Sequence, residues 1–176
     1  MRKNLLCLFS IAFTLVLPAV HASEHEPLVV FLVRHGERAD LSKDSELSAA
    51  GRERAAILAR TLRSAEIEYV HSSDFIRTRV TAEPTAVEHG LEVALYDPRD
   101  LPALVAKLRG TGGRHLVVGH SNTTPPMVEL LGGRPGPAID EKSEYDRLYI
   151  VTIGRDGATI SVTMRYGETY HPGQGQ

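Results

Sequence analysis

Two patterns in this 176-residue sequence predict an α/β fold. From Leu28 onward, short apolar runs alternate with helical stripes, and the last segment switches to strict two-residue alternation. Strands alternating with helices imply a mostly parallel sheet with helices on both faces, a three-layer αβα sandwich in a single domain. The final alternation adds an antiparallel C-terminal edge hairpin.

Leu28-Val29-Val30-Phe31-Leu32-Val33 is apolar throughout, as a strand buried on both faces requires. Ala55, Leu58, Ala59 and Leu62 follow the i, i+3, i+4, i+7 spacing of a helix, with Ser48 as its N-cap and Arg52, Glu53 and Arg54 on the outside. Tyr69 to Ser72 is a short strand, and Ser73 or Asp74 caps the next helix, in which Pro84 either kinks the chain or begins a new first turn. Leu91 to Tyr96 is another strand. Leu101, Leu104, Val105 and Leu108 repeat the helical stripe, with Asp100 as N-cap, Pro102 in the first turn and Gly110 as terminator. His115 to Val118 is a fourth apolar strand, followed by a short helix around Met127, Leu130 and Leu131 that stops at Gly132-Gly133. Ile160, Val162, Met164 and Tyr166 alternate with polar residues as a half-exposed strand, paired with Arg147 to Ile153 through the turn at residues 154–157.

The first residues have a different character. Arg2 and Lys3 precede the apolar run Leu5 to Val20, and Val20-His21-Ala22 is small at both key positions. Residues 1–22 are therefore expected to be a secretory signal peptide cleaved before Ser23, because Ser10, Thr14 and Pro18 leave the apolar run short of the ~20 residues a membrane span needs. Residues 23–176 form the expected domain, located in the periplasm or secreted and not held in a membrane after cleavage. Cys7 leaves with the peptide, so the core must suffice without disulfides. Loss of Arg2 and Lys3 leaves 18 basic against 22 acidic residues, a formal charge of −4. That argues against nucleic acid as a partner, and an anionic substrate would need a local basic pocket.

Such a pocket is written into the strand ends. Sheets of this kind bind ligands beyond the carboxyl ends of their strands. Arg34-His35-Gly36 follows the first strand, His120 follows the strand ending at Gly119, and Arg77 lies just past the Tyr69 strand. Two imidazoles and at least two guanidiniums thus converge, with Gly36 and Gly119 allowing close backbone approach. No paired-histidine helix or cysteine cluster points to a metal, no Gly-rich phosphate loop is present, and Gly119-His120-Ser121-Asn122-Thr123 is not a serine nucleophile elbow. His71, His89, His115 and His171 share no ligand spacing and read as surface or packing residues, and His25 lies in the new N-terminus.

Three elements in order, Arg34-His35-Gly36-Glu37-Arg38, Ser73-Asp74-Phe75-Ile76-Arg77-Thr78 with Thr81-Ala82, and Gly119-His120-Ser121-Asn122-Thr123, resemble the histidine phosphatase superfamily, also called phosphoglycerate mutase-like. The resemblance covers nearly the whole expected domain. It implies the phosphoglycerate mutase-like fold, no cofactor or metal, a small phosphorylated substrate, and His35 as the nucleophile that forms a phosphohistidine later hydrolysed by water. Arg34, Arg77 and His120 would grip the phosphoryl group, His120 adding charge if cationic. The Arg-His-Gly-x-Arg spacing resembles the acid-phosphatase branch, which implies a phosphate contact for Arg38; a surface ion pair with Asp40 or Asp44 is the alternative. Asn122 is either a substrate contact or a helix cap.

The proton donor is where this chain departs from the family. The acid-phosphatase branch has aspartate after the second histidine, and Ser121 stands there. The mutase-like branch takes a glutamate from the interval between Arg77 and His120, where Asp97 and Asp100 are nearest, and Asp100 also reads as an N-cap. Glu141 and Glu144 approach from the loop before the hairpin, and Glu37 adjoins the nucleophile. The leading expectation is an exported phosphomonoester phosphatase. The alternatives are a protein phosphohistidine phosphatase, a phosphoglycerate mutase-like phosphotransferase and a non-catalytic phosphate-binding module. The Asp40 to Glu46 loop and the Arg134 to Tyr145 segment are the expected walls of the substrate site.

Overall fold

A computed structural model describes residues 27–171 of the chain. The expected signal segment lies outside them. Ten elements follow in order: β1 (Leu28–Arg34), α1 (Ala49–Leu62), β2 (Tyr69–Ser73), α2 (Ile76–His89), β3 (Val93–Tyr96), α3 (Leu101–Thr111), β4 (Gly113–Gly119), α4 (Thr124–Leu130), β5 (Arg147–Ile153) and β6 (Thr159–Arg165). The six strands form one sheet in the order β3-β2-β4-β1-β5-β6. β3, β2, β4 and β1 run parallel; β5 is antiparallel to β1, and β6 to β5. This is the expected α/β architecture with its antiparallel C-terminal hairpin.

β1 shows why its sequence is uninterrupted by polar residues. Leu28, Val30 and Leu32 face one apolar layer, with Leu104, Val105 and Leu108 of α3 and Met127 and Val128 of α4. Phe31 and Val33 face the other, with Leu58 and Leu62 of α1 and Ala82 and Ala86 of α2. The two faces of one strand thus feed two cores, and its carboxyl end is fixed from both sides. Arg34 registers with Gly119 across the parallel pair, and the His35 N–H donates to Gly119 O at 2.9 Å.

Several local expectations are corrected. Ser48 does cap α1, accepting from Gly51 N, but Arg54 is buried rather than outside. Its guanidinium donates to both Glu37 carboxylate oxygens and to the Tyr166 and Glu168 carbonyls, tying α1 to the His35 loop and the C-terminal segment. Neither Ser73 nor Asp74 caps α2. The N-cap residue is Phe75, and Ile76 N donates instead to Asp44 Oδ1 at 2.8 Å, a cap supplied by the 40–46 loop. Pro84 does not begin a new helix: it lies inside α2, where buried Ala82 and Ala86 pack on either side of it in sequence. α3 continues through Gly110 and is terminated at Gly112, whose φ of 64° belongs to the left-handed region. In β6 only Tyr166, just beyond the strand, is buried; Ile160, Val162 and Met164 are exposed because this strand is the sheet edge.

One close approach sets the nucleophile loop. A Cβ at Gly36 would lie 2.8 Å from Gly51 O, and a Cβ at Gly51 would lie 2.3 Å from Glu37 O. The first turn of α1 therefore rests backbone to backbone on the loop after β1, and both contact residues must be glycine. Gly119 is the second such place: a Cβ there would meet Thr123 Oγ1 at 2.9 Å and Tyr96 Oη at 3.0 Å.

Candidate active site

The carboxyl ends of β1, β2 and β4 open into a cavity of about 390 Å³ lined by Arg34, His35, Arg38, Arg77, His120 and Asn122, among others. Six of the seven candidate site residues are thus brought together. Asp100 is not among the lining residues. It is exposed, and its carboxylate accepts from Ala103 N at 3.1 Å as the N-cap of α3. Asp97 is engaged by Arg99 and the Arg99 N–H.

His35 is buried and oriented by its own backbone. Its Nδ1 lies 2.7 Å from the Gly36 carbonyl, which can only accept, so Nδ1 carries the proton and the lone pair sits on Nε2. Burial, opposed by that carbonyl and reinforced by the nearby charges of Arg34, His120 and Arg77, pushes the imidazole down to about 2. The ring is therefore neutral at any physiological pH, the state a nitrogen nucleophile needs. Gly36 N is held in turn by Thr81 Oγ1 at 3.0 Å, and Thr81 donates to Arg77 O, so α2 braces the loop from below.

His120 reads differently from a simple phosphate donor. Arg77 Nη2 approaches its Nδ1 at 3.4 Å and can only donate, so that nitrogen is the acceptor. Nε2 then donates to Ser73 Oγ at 2.8 Å, and Ser73 Oγ donates to Thr78 Oγ1. Burial, with Arg77 and Arg34 beside it, lowers His120 to about 4, so the ring is neutral near pH 7. Its ring stands edge-on to Phe75 at 5.0 Å and to His35 at 5.4 Å between centroids.

The arginines divide their donors. Arg34 Nη1 donates to the Asp140 and Glu144 carbonyls, Nη2 to the Glu141 carbonyl at 2.6 Å, and the guanidinium lies 3.9 Å over the Tyr145 ring. Arg77 Nη1 donates to Lys43 O, and its guanidinium lies 4.4 Å over Phe75. In both residues the Nε is buried without a hydrogen-bond partner. An unpaired buried N–H is costly, and two on charged groups lining one cavity make it receptive to an anion. Arg38 lines the same cavity and has no ion pair among the described residues. The alternative pairing with Asp40 or Asp44 is not formed, since Asp40 accepts from Ser42 N and Asp44 from Ile76 N. Asn122 is exposed at the mouth and does not cap α4, whose N-cap is Thr123.

Sequence reasoning named Thr81 in a motif without its bracing role, and missed the roles of Tyr145 under Arg34 and of Arg54 on Glu37, contacts between residues far apart in sequence that leave no motif. It also assigned His71 and His115 only to surface or packing. They form a buried pair, His71 Nε2 to His115 Nδ1 at 3.0 Å, with His115 Nε2 donating to Gly112 O and Tyr69 stacked on the outer ring. Burial, with His115 and Lys107 nearby, lowers His71 to about 4.

A pH dependence follows. His35, His71 and His120 are all held below the value of about 6.5 they have in an unfolded chain. Between about pH 6.5 and 4 the unfolded chain therefore binds protons that the folded chain refuses. Stability is complete above that window and falls as the pH drops through it, by at most about 1.4 kcal/mol per pH unit for each such imidazole. Urea midpoints should decrease steadily from pH 7 to pH 5. A midpoint that stays constant over that range would mean that the three imidazoles titrate normally in the folded protein.

A parallel-sheet α/β protein with an imidazole and arginines at adjoining strand ends belongs to the class that receives an anion at that edge. Comparison with known proteins identifies the family. The family model of the histidine phosphatase superfamily (branch 1) matches residues 30–98. A probable phosphoglycerate mutase GpmB of Photorhabdus laumondii is 39% identical over 130 residues, 70% of this chain and 59% of that protein. Its counterpart in Yersinia enterocolitica is 40% identical over 79 residues, 41% of this chain and 36% of that protein. The chain thus spans little more than half the length of the first curated relative it matches. Among solved structures, the protein histidine phosphatase SixA complexed with tungstate superposes with a TM-score of 0.62 at 22% identity, covering 78% of this chain and 97% of that one. A mycobacterial glucosyl-3-phosphoglycerate phosphatase gives 0.61 at 15% identity, covering 82% and 100%. The chain belongs to the histidine phosphatase superfamily and has its phosphoglycerate mutase-like fold.

Proposed function

We propose that the protein is an exported phosphatase that hydrolyses a phosphomonoester through a phosphohistidine on His35. The observation that carries this is the state of His35: Nδ1 is locked on Gly36 O, and the ring lines one cavity with Arg34 and Arg77, each of which holds a buried Nε without a partner. Nε2 attacks phosphorus, the arginine donors neutralise the equatorial oxygens, and water then displaces the imidazole. The Nδ1 proton shared with Gly36 O stabilises the ring as it gains positive character during attack.

The substrate walls favour a leaving group larger than a small acid. A groove of about 870 Å³ adjoins the phosphate cavity and is lined by Arg38 together with Asp40, Leu41, Asp140, Lys142 and Tyr145 of the two expected wall segments. Its breadth is the reason to retain a protein-borne phosphohistidine as the second reading. Export rests on residues 1–22, and N-terminal sequencing of the exported chain should begin at Ser23.

A panel containing an aryl phosphate, 3-phosphoglycerate and a phosphohistidine protein, assayed in chelator, tests the reading. Phosphate release from at least one of them is expected. Binding of inorganic phosphate with no turnover of any would replace the enzyme with a phosphate-binding module, and transfer of the phosphoryl group back to glycerate rather than to water would make it a mutase.

A further inference from the structure

The geometry points to Glu141 as the proton donor to the leaving group and as the base that then activates the hydrolytic water. This rests on the phosphatase reading above. Glu141 carries the one carboxylate lining the His35 cavity among the described residues, and it and Arg38 are the two residues that also line the adjoining groove. The boundary between a phosphoryl site and a leaving-group site is where the bridging oxygen must lie, so a carboxyl there meets the atom that needs a proton.

Every rival carboxylate nearby is engaged. Glu37 receives Arg54 on both oxygens, at 2.9 and 3.0 Å from Nε and 2.7 Å from Nη2. Glu144 is buried between Arg147 and Arg165. Asp140 accepts from Lys142 N, Ser143 Oγ and Tyr170 Oη. Asp44 and Asp100 cap helices. The Glu141 side chain is exposed and takes part in no hydrogen bond among the described residues, so it is free to reach a substrate.

Its backbone, by contrast, is fixed. Arg34, itself a lining residue of the phosphate cavity, grips the Asp140, Glu141 and Glu144 carbonyls together, and Glu144 Oε2 accepts from Asp140 N at 3.0 Å to close the loop on itself. One guanidinium therefore ties the loop that carries the carboxyl to the cavity that takes the phosphate. Arg34 becomes a positioning residue as much as an anion contact.

The steps balance. His35 Nε2 forms the P–N bond as the P–O bond to the leaving group breaks, and the departing oxygen takes the Glu141 proton. The carboxylate then takes a proton from water as that oxygen bonds to phosphorus, the P–N electrons return to Nε2, and phosphate leaves with Glu141 protonated again.

Glu141→Gln separates the two roles by leaving group, and the exposed position makes the variant a safe one for folding. An alkyl phosphate needs the acid and should slow at least about 100-fold. An aryl phosphate with an acidic phenol does not, so it should still release one equivalent of phenol in a rapid burst, followed by slow turnover because water lacks its base. Alkyl turnover within about threefold of wild type, or an aryl steady state as fast as wild type, overturns the assignment. A wild-type protein that releases no phenol at all overturns the phosphatase reading itself, and the assignment with it.

Discussion

A folded His35→Ala protein is expected to lose phosphomonoester turnover by at least about 10⁴-fold, because no other group offers an unprotonated nitrogen to phosphorus. Among the described residues His120 is the only other imidazole lining the cavity, and both of its nitrogens are engaged, by Arg77 and by Ser73. The substitution should leave the fold intact. It removes one ring bonded to its own chain neighbour and relieves the burial of a group whose pKa is strongly depressed. Inorganic phosphate should still bind, since the donors of Arg34 and Arg77 remain. The checks are a rate on an activated aryl phosphate, a urea curve, and the loss of an acid-labile phosphoryl adduct that wild type forms. A folded variant with normal rates would end the phosphohistidine mechanism.

The parts of this site that were legible in the sequence are those whose signal is positional. Arg34, His35 and His120 could be placed because each follows an apolar run long enough to be a buried strand, and such strands deliver their next residue to the ligand edge. The wall segments were legible for the same reason, as the connections after those elements. What was not legible depends on partners distant in sequence, many of them backbone groups. Arg54 looked like one more surface charge on α1, and only the fold shows the Glu37 carboxylate and the Tyr166 carbonyl waiting for it. Arg34 looked like a pure anion ligand, yet most of its donors hold backbone carbonyls a hundred residues away. Asp100 illustrates the converse. The same residue before the same helix satisfies a cap and an acid equally well on paper, and the Ala103 N–H decides for the cap. Alternation in β6 likewise reported a strand correctly while saying nothing of whether a helix would cover Ile160 and Val162.

Arg77→Lys is expected to cost about 10- to 100-fold in kcat/KM although the charge is conserved. Arginine here makes several contacts from one planar group: Nη1 holds Lys43 O and lies 3.9 Å from Asp44 Oδ1, Nη2 meets His120 Nδ1, and the plane packs on Phe75. Lysine offers one ammonium, which can replace a single one of these contacts and cannot stack as a plane. A charge-assisted hydrogen bond lost at a buried site costs roughly 1.5–3 kcal/mol, which is the quoted range of rates. The consequence reaches beyond charge. With Nη2 gone, His120 Nδ1 loses its donor, the ring can rotate away from Ser73, and the 40–46 loop loses the Nη1 hydrogen bond to Lys43 O that helps tie it to α2, while Asp44 stays on Ile76 N. The defect should therefore appear in kcat as well as in KM, and more strongly for substrates that bury their leaving group in the groove beside that loop. Parallel kinetics of Arg77→Lys and Arg38→Lys separate the two arginines, because Arg38 has no ion pair among the described residues and its replacement should shift KM alone. Wild-type kinetics for Arg77→Lys would place that guanidinium outside the phosphate grip and leave Arg34 and Arg38 to supply it.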